Sequence, residues 1–210
     1  MNNETTTQTG QITAQLDHLA EIFTAVNLYV STDPRKAPLQ MAKISGNTIE
    51  TTDAYAALIY TITADSYTTT PETFTLPAGE ITKALQAAAK LAGKRAHQIT
   101  ATITTTLTSW TFTTTEGQQI SGNNDPRDWP NVAQIWQDTK NRPQATPFEP
   151  FALAQWQIER LAKLTKRTNG KDNYATLTHY SGPLHPVIYT TKTKHGTATA
   201  LLMPTKITTN

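Results

Sequence analysis

The sequence has no cysteine, which excludes disulfides, thiolate zinc sites and a cysteine nucleophile, and is compatible with a reducing cytoplasm. Charge is also sparse. Asp, Glu, Lys and Arg make up 16% of the chain, so it is not a self-repelling, solvated coil. No window approaches the roughly 20 apolar residues that cross a bilayer, and no membrane partner is expected. Residues 1–10 are polar, so they read as an extended or disordered segment with no secretory signal, and the expected location is cytoplasmic.

Catalytic signatures are missing too. The nine glycines are scattered singly, without a Gly-x-x-x-x-Gly-Lys loop, a Gly-x-Ser-x-Gly elbow or a dinucleotide fingerprint. His18, His97, His179, His185 and His195 show no metal-ligand spacing. Asp125 and Asp128 fall in a turn-like stretch, where aspartate is common for backbone reasons. No nucleophile, base and oxyanion donor can be assembled, so the sequence predicts neither an enzyme nor a cofactor or metal.

What is present is threonine in alternation with apolar residues, as in Ile99-Thr100-Ala101-Thr102-Ile103. β-branched side chains at a period of two suit a pleated, half-buried sheet. Between such stretches lie three windows with helical spacing. Leu16, Leu19, Phe23, Val26 and Val30 share one face of Leu16–Val30, and Ile81, Leu85, Ala88 and Leu91 share one of Glu80–Ala92. Leu153, Gln157, Leu161 and Leu164, flanked by Ile158, do the same in Leu153–Arg167.

Each window follows a short extended stretch (Gln11–Thr13, Phe74–Pro77, Phe148–Phe151) and precedes three strand candidates. These are 39–44, 48–52 and 57–63 after the first; 97–105, 109–115 and 118–121 after the second; 173–180, 187–191 and 197–202 after the third. Gly46-Asn47, Glu116-Gly117 and His195-Gly196 supply turns. The predicted class is α+β, with a β-α-β-β-β unit used three times. Two units form a full domain over 11–132, 133–147 is a linker, and 148–210 is half a domain. Half a domain leaves an open sheet edge, which another chain must cover.

Net charge is only +2, but it is segregated. Residues 80–95 carry Lys83, Lys90, Lys94 and Arg95 against one anion, and 153–171 carry Arg160, Lys163, Lys166, Arg167 and Lys171 against one. On the second helix Lys83, Gln86, Lys90 and Lys94 form a stripe opposite the apolar face, and Arg160, Lys163 and Arg167 form one on the third. Repeated cationic stripes point to the phosphate backbone of nucleic acid, without the signatures of base readout. The first helix departs from this pattern with Asp17, His18 and Glu21.

Short motifs carry a resemblance. Gly46–Tyr55 resembles the strand and loop of bacterial β sliding clamps that contains a Thr-Asp-Gly element; Ala54 stands where the family has glycine. Asp125-Pro126-Arg127-Asp128-Trp129-Pro130-Asn131 is similar to the family's domain-closing segment. Pro183–Ile188 and the ending Ala200–Ile207, with Met203-Pro204, are similar to the family's last strands. The likeness runs through most of the chain in order. It implies a DNA-clamp fold, with helices lining a ring and antiparallel sheets outside, that encircles double-stranded DNA as a processivity factor.

The resemblance further implies a hydrophobic pocket that takes short peptides from DNA polymerase and clamp loader. The matching positions are Thr52, Asp53, Ala54, Tyr55, Ala57, Pro130, Leu201, Met203, Pro204 and Thr205. The DNA-binding residues expected from the stripes and their neighbours are Lys83, Lys90, Lys94, Arg95, Arg160, Lys163, Lys166, Arg167 and Lys171. Clamp rings contain twelve units, so three per chain predict a homotetramer, with a trimer as the alternative that chain length favours. The short chain suggests a bacteriophage or mobile-element protein, acting in a bacterial or phage-infected cell. The competing reading is a sheet-rich structural or interaction protein such as a virion component, which has no need of the cationic stripes.

Overall fold

The computed structural model describes residues 9–63, 65, 67–124, 129–130, 132–143, 151–166, 175–180 and 185–204. The first unit is β1 (Gly10–Gln15), α1 (Leu16–Val26), β2 (Met41–Ser45), β3 (Thr48–Thr52) and β4 (Ala56–Ile62). A two-residue strand β5 (Thr68–Thr69) leads to the second unit: β6 (Phe74–Pro77), α2 (Ala78–Ala92), β7 (Thr100–Thr105), β8 (Ser109–Thr114) and β9 (Gln119–Asn123). Then come α3 (Val132–Lys140), α4 (Gln155–Thr165), β10 (Ala175–His179), β11 (Val187–Thr193) and β12 (Gly196–Leu202).

Helix α3 starts at Val132, the last residue of the expected full domain, and runs on into the stretch 133–147 expected to be a linker. Its Val132 and Trp136 sit one helical turn apart and bury against a sheet, an anchor spacing that proline and polar neighbours hide in the sequence. The opening strand expected for the third unit, at 148–151, falls mostly outside the described residues, and Phe151 is not in a strand.

The first two units exchange their leading strands. β1 pairs with β7 in a five-stranded antiparallel sheet, β5-β1-β7-β8-β9, and β6 pairs with β2 in the other sheet. That second sheet has seven strands in the order β10-β11-β12-β4-β3-β2-β6. At its centre β4 and β12 pair along their full lengths, Ala56 opposite Leu202 through Ile62 opposite Gly196. A Cβ on Gly196 would meet the Thr61 carbonyl oxygen at 2.0 Å, so glycine permits this close approach of the strands. The sheet therefore runs unbroken from the first unit to the third.

Threonine serves these sheets on both faces. In β7, Ala101, Ile103 and Thr105 point inward while Thr100, Thr102 and Thr104 stand outward. The Thr13 and Thr102 hydroxyls meet across strands at 3.1 Å.

α1, α2 and α4 pack on one core. Leu16, Leu19, Phe23 and Val26 from α1, Ile81 and Leu85 from α2 and Leu164 from α4 join Ala56, Leu58, Tyr60, Val187, Tyr189 and Leu202 from the sheet. Each such large side chain, fully buried, contributes about 1.5–3 kcal/mol relative to exposure. Buried Thr82 of α2 donates to Ala78 O and reaches Phe23 O of α1 at 3.1 Å, joining the two helices. Leu91, expected on the buried face of α2, is instead 77% exposed: Ile81, Leu85, Ala88 and Ala92 hold the core side of the helix, and Leu91 falls about a quarter turn away from them. Successive strand residues face opposite ways, so Ala57, Ile188 and Leu201 look to the other side of the seven-stranded sheet. There they form a separate cluster with Val132, Tyr180, Trp129 and Trp136, under α3.

Candidate peptide site and cationic helices

The β3–β4 turn is built by its own side chains. Asp53 Oδ1 accepts from the backbone N–H groups of Tyr55 at 2.9 Å and Ala56 at 2.8 Å. Thr52 Oγ1 donates to Ala56 O at 2.9 Å and accepts from Ala54 N at 3.2 Å. The turn forces Ala54 to φ +80°, a left-handed conformation that favours glycine.

Asp53 Oδ2 receives the Arg160 guanidinium from α4, so one carboxylate holds the turn and the helix together. The guanidinium carbon lies 4.6 Å from the Trp156 ring centre and 5.7 Å from that of Tyr29. Burial pushes the Tyr29 hydroxyl above its ordinary pKa, so it stays neutral beside the pair.

Beside this pair opens a cavity of about 530 Å³. Tyr55, Trp156, Met203 and Pro204 give it apolar walls; Asp53, Gln157 and Arg160 give it polar groups. Gln157, 1% exposed, fixes the far side: its Oε1 accepts from Ala154 N at 2.9 Å and its Nε2 donates to Met203 O at 2.9 Å. Met203 N donates to Tyr55 O at 3.1 Å, which ties the end of β12 to the turn. A cavity with several apolar side chains and few convergent polar groups suits a short peptide side chain or two.

The residues expected to form one peptide site are divided. Asp53, Tyr55, Met203 and Pro204 line the cavity, Ala54 is exposed at its turn, and Thr52 is buried in the turn itself. Ala57 and Leu201, at 6% and 4% exposure, lie instead beneath α3. Strand alternation separates them from the cavity, because each points across the sheet from its core-facing neighbours. Pro130 is half-buried at the entry to α3, with its carbonyl accepting from Val132 N at 2.7 Å. Thr205 is outside the described residues. Trp156 and Gln157 were not expected in the site; the spacing of Trp156 to Arg160, one helical turn, is the signal that places both on one face.

Of the expected DNA-contact residues, Lys83, Lys90 and Lys94 on or just beyond α2 and Lys163 and Lys166 on or just beyond α4 are exposed. Arg95 is exposed and paired with Glu116. Arg160 departs from its expected place on an outward stripe. It is turned into the Asp53 pair and the Trp156 stack, because a guanidinium with a carboxylate and a ring within reach gains more there than in water. Arg167 and Lys171 lie outside the described residues.

At the other end of α1 the β11–β12 turn brings His195 onto His18, with ring centres 3.9 Å apart. His195 Nε2 is 2.9 Å from Glu21 Oε2, and Lys194 Nζ is 3.9 Å from Asp17 Oδ2. Among the described residues no group of three His, Asp or Glu side chains is arranged to hold a metal. No described helix is long and apolar enough to cross a membrane.

The fold is matched in solved structures. The DNA polymerase sliding clamp from Bacillus subtilis superposes with a TM-score of 0.63 at 12% identity, over 94% of this chain and 64% of the other. This chain has the DNA sliding-clamp fold. The sliding clamp from Pseudomonas aeruginosa gives 0.58 at 12% identity, over 95% of this chain and 66% of its own. Proliferating cellular nuclear antigen from Entamoeba histolytica gives 0.56 at 10% identity, over 94% of this chain and 99% of its own. The chain thus spans just under two thirds of the bacterial clamps it matches. No protein-family model and no curated protein matches the sequence.

Proposed function

We propose that this chain is a shortened sliding clamp, a processivity factor that encircles double-stranded DNA without reading its sequence and tethers a polymerase without catalysing a reaction. The observation that carries this reading is the clamp fold combined with exposed lysines on two helices that share one core, Lys83 and Lys90 on α2 and Lys163 on α4. Lysines at these positions neutralise backbone phosphates, which gives affinity without base readout.

Polymerase and clamp-loader peptides are proposed to dock at the joint of the first and third units, around the cavity between Tyr55, Trp156 and Met203. The β9 and β10 edges, unpaired among the described strands, support a homo-oligomeric ring, with four chains favoured by the unit count and three as the alternative. Retention on DNA tests the reading. A ring linked to closed circles stays on them at raised salt and slides off linear DNA of the same sequence. Equal loss from both forms would sink the proposal, and a native mass gives the subunit count.

A further inference from the structure

The first two units complete each other. α1 and α2 lie side by side, with Thr82 Oγ1 reaching Phe23 O at 3.1 Å and Gln86 Nε2 donating to Thr24 Oγ1 at 3.0 Å. Each unit also lends its leading strand to the other's sheet. α4 repeats their inward spacing: Gln157, Leu161 and Leu164 match Leu19, Phe23 and Val26 of α1 and Ile81, Leu85 and Ala88 of α2. Ile158 and Ala162 are thus the counterparts of Thr82 and Gln86, the residues that meet α1. Thr82 is 3% exposed in its place, whereas Ile158 is 55% exposed and Ala162 is exposed. Apolar side chains stand on α4 where α2 has polar ones, yet α4 packs on β11 and not along a described helix.

We infer, on the sliding-clamp reading above, that this face of α4 and the β10 edge of the same unit dock on the same face of a second copy, so that two third units close one full domain about a two-fold axis. The kinds of edge decide the partner. Strands that end their units join like to like, β4 with β12, while β2 and β7 each take the leading strand of a mate unit. At one end of the chain β9 is of the first kind; at the other, β10 is the counterpart of β2 and β7, and each has one side unpaired among the described strands. Head-to-tail closure sets β9 against β10, a joint this chain uses nowhere. Like-to-like closure repeats joints it already contains. It also turns Glu159, the acidic residue of α4, toward the last turn of the partner's helix, where Lys163 supplies the opposite charge. Alternate chains then face opposite ways, so a closed ring holds an even number of them. Four chains satisfy this and three do not.

The chain has no cysteine, so Ala162→Cys introduces a single thiol at an exposed position. The full chain, treated with a short bifunctional maleimide without DNA, is expected to give covalent dimer in at least tenfold higher yield than Leu91→Cys, an exposed position on α2. Equal yields overturn the inference. Ile158→Arg sets like charges across the axis and should reduce the native mass from four chains to two, with circular dichroism showing the fold retained. A mass unchanged by Ile158→Arg, or a wild type of one or three chains, also overturns it. Rapid loss from closed circular DNA with the cross-link and the four-chain mass intact, by contrast, rejects the clamp reading and leaves the interface standing.

Discussion

Asp53 and Arg160, 107 positions apart, close the joint between the first and third units: one carboxylate oxygen holds the β3–β4 turn while the other holds α4. The pair is largely shielded, with side-chain exposures of 9% for Asp53 and 22% for Arg160. The two roles are separable. Asn at position 53 retains an acceptor for the turn and loses the charge for Arg160, whereas Ala loses both. Asp53→Asn is expected to cost about 1.5–3 kcal/mol, the range for a hydrogen bond to a charged group. Asp53→Ala should cost a further 0.5–2 kcal/mol or so, as loss of a capping side chain does. Denaturant midpoints with unchanged slopes check both, and equal costs would show that the turn does not depend on the carboxylate.

Ala54 holds φ +80° in that same turn. A left-handed conformation costs a residue with a Cβ about 1–2 kcal/mol, part of which glycine returns through its freer unfolded chain. Ala54→Gly should therefore raise stability by up to about 1 kcal/mol, read as a higher urea midpoint. A lower midpoint would mean that the Ala54 methyl makes contacts worth more than the strain.

Most of the fold was legible because two periodicities carry it. Threonine alternation placed β3 at 48–52 and most other strands within one to three residues, and apolar spacing found α1, α2 and α4. Buried Gln157 sat on the predicted apolar face of its helix, though its work, bridging Ala154 N and Met203 O, depends on partners far apart in sequence. What sequence could not supply was direction across a sheet. Thr52, Asp53 and Ala57 are neighbours in the sequence, yet alternation sends Ala57, with Leu201 from the far end of the chain, under α3 while Asp53 faces the cavity. Arg160 reads as one more cation on a basic helix until Asp53 is seen to reach it. The exchange of β1 and β6 between sheets is likewise a long-range pairing that no local pattern encodes.

The cationic helices give a prediction that distinguishes DNA-facing residues from scaffold. Lys83→Glu with Lys90→Glu should weaken DNA binding and reduce the salt slope by roughly 0.9 for each phosphate no longer neutralised, with the melting temperature unchanged. Arg160→Ala should do the reverse, lowering stability through the Asp53 joint and leaving the salt slope intact. Both are measured by fluorescence anisotropy against salt and by thermal melts. An unaltered slope in the double lysine variant would remove α2 from the DNA-facing surface.

His18, half-buried against His195, should make stability depend on pH. Desolvation first, and then the charge of His195, holds the His18 pKa below the ordinary 6.5; Asp17 and Glu21 oppose the shift and Lys194 adds to it. Glu21 is held below its ordinary 4.5, first by its hydrogen bond with His195. In both cases the unfolded chain binds protons more readily than the folded one, so acid favours unfolding. For His18 the loss begins as pH falls through 6.5, and for Glu21 it begins as pH falls through 4.5. His18→Gln should flatten the stability profile as pH falls through 6.5 while leaving the acid dependence that begins at 4.5 with Glu21. Denaturant unfolding across that range checks it: a profile as steep as wild type in the upper limb would assign the dependence to another group, since glutamine at position 18 has no proton to take up.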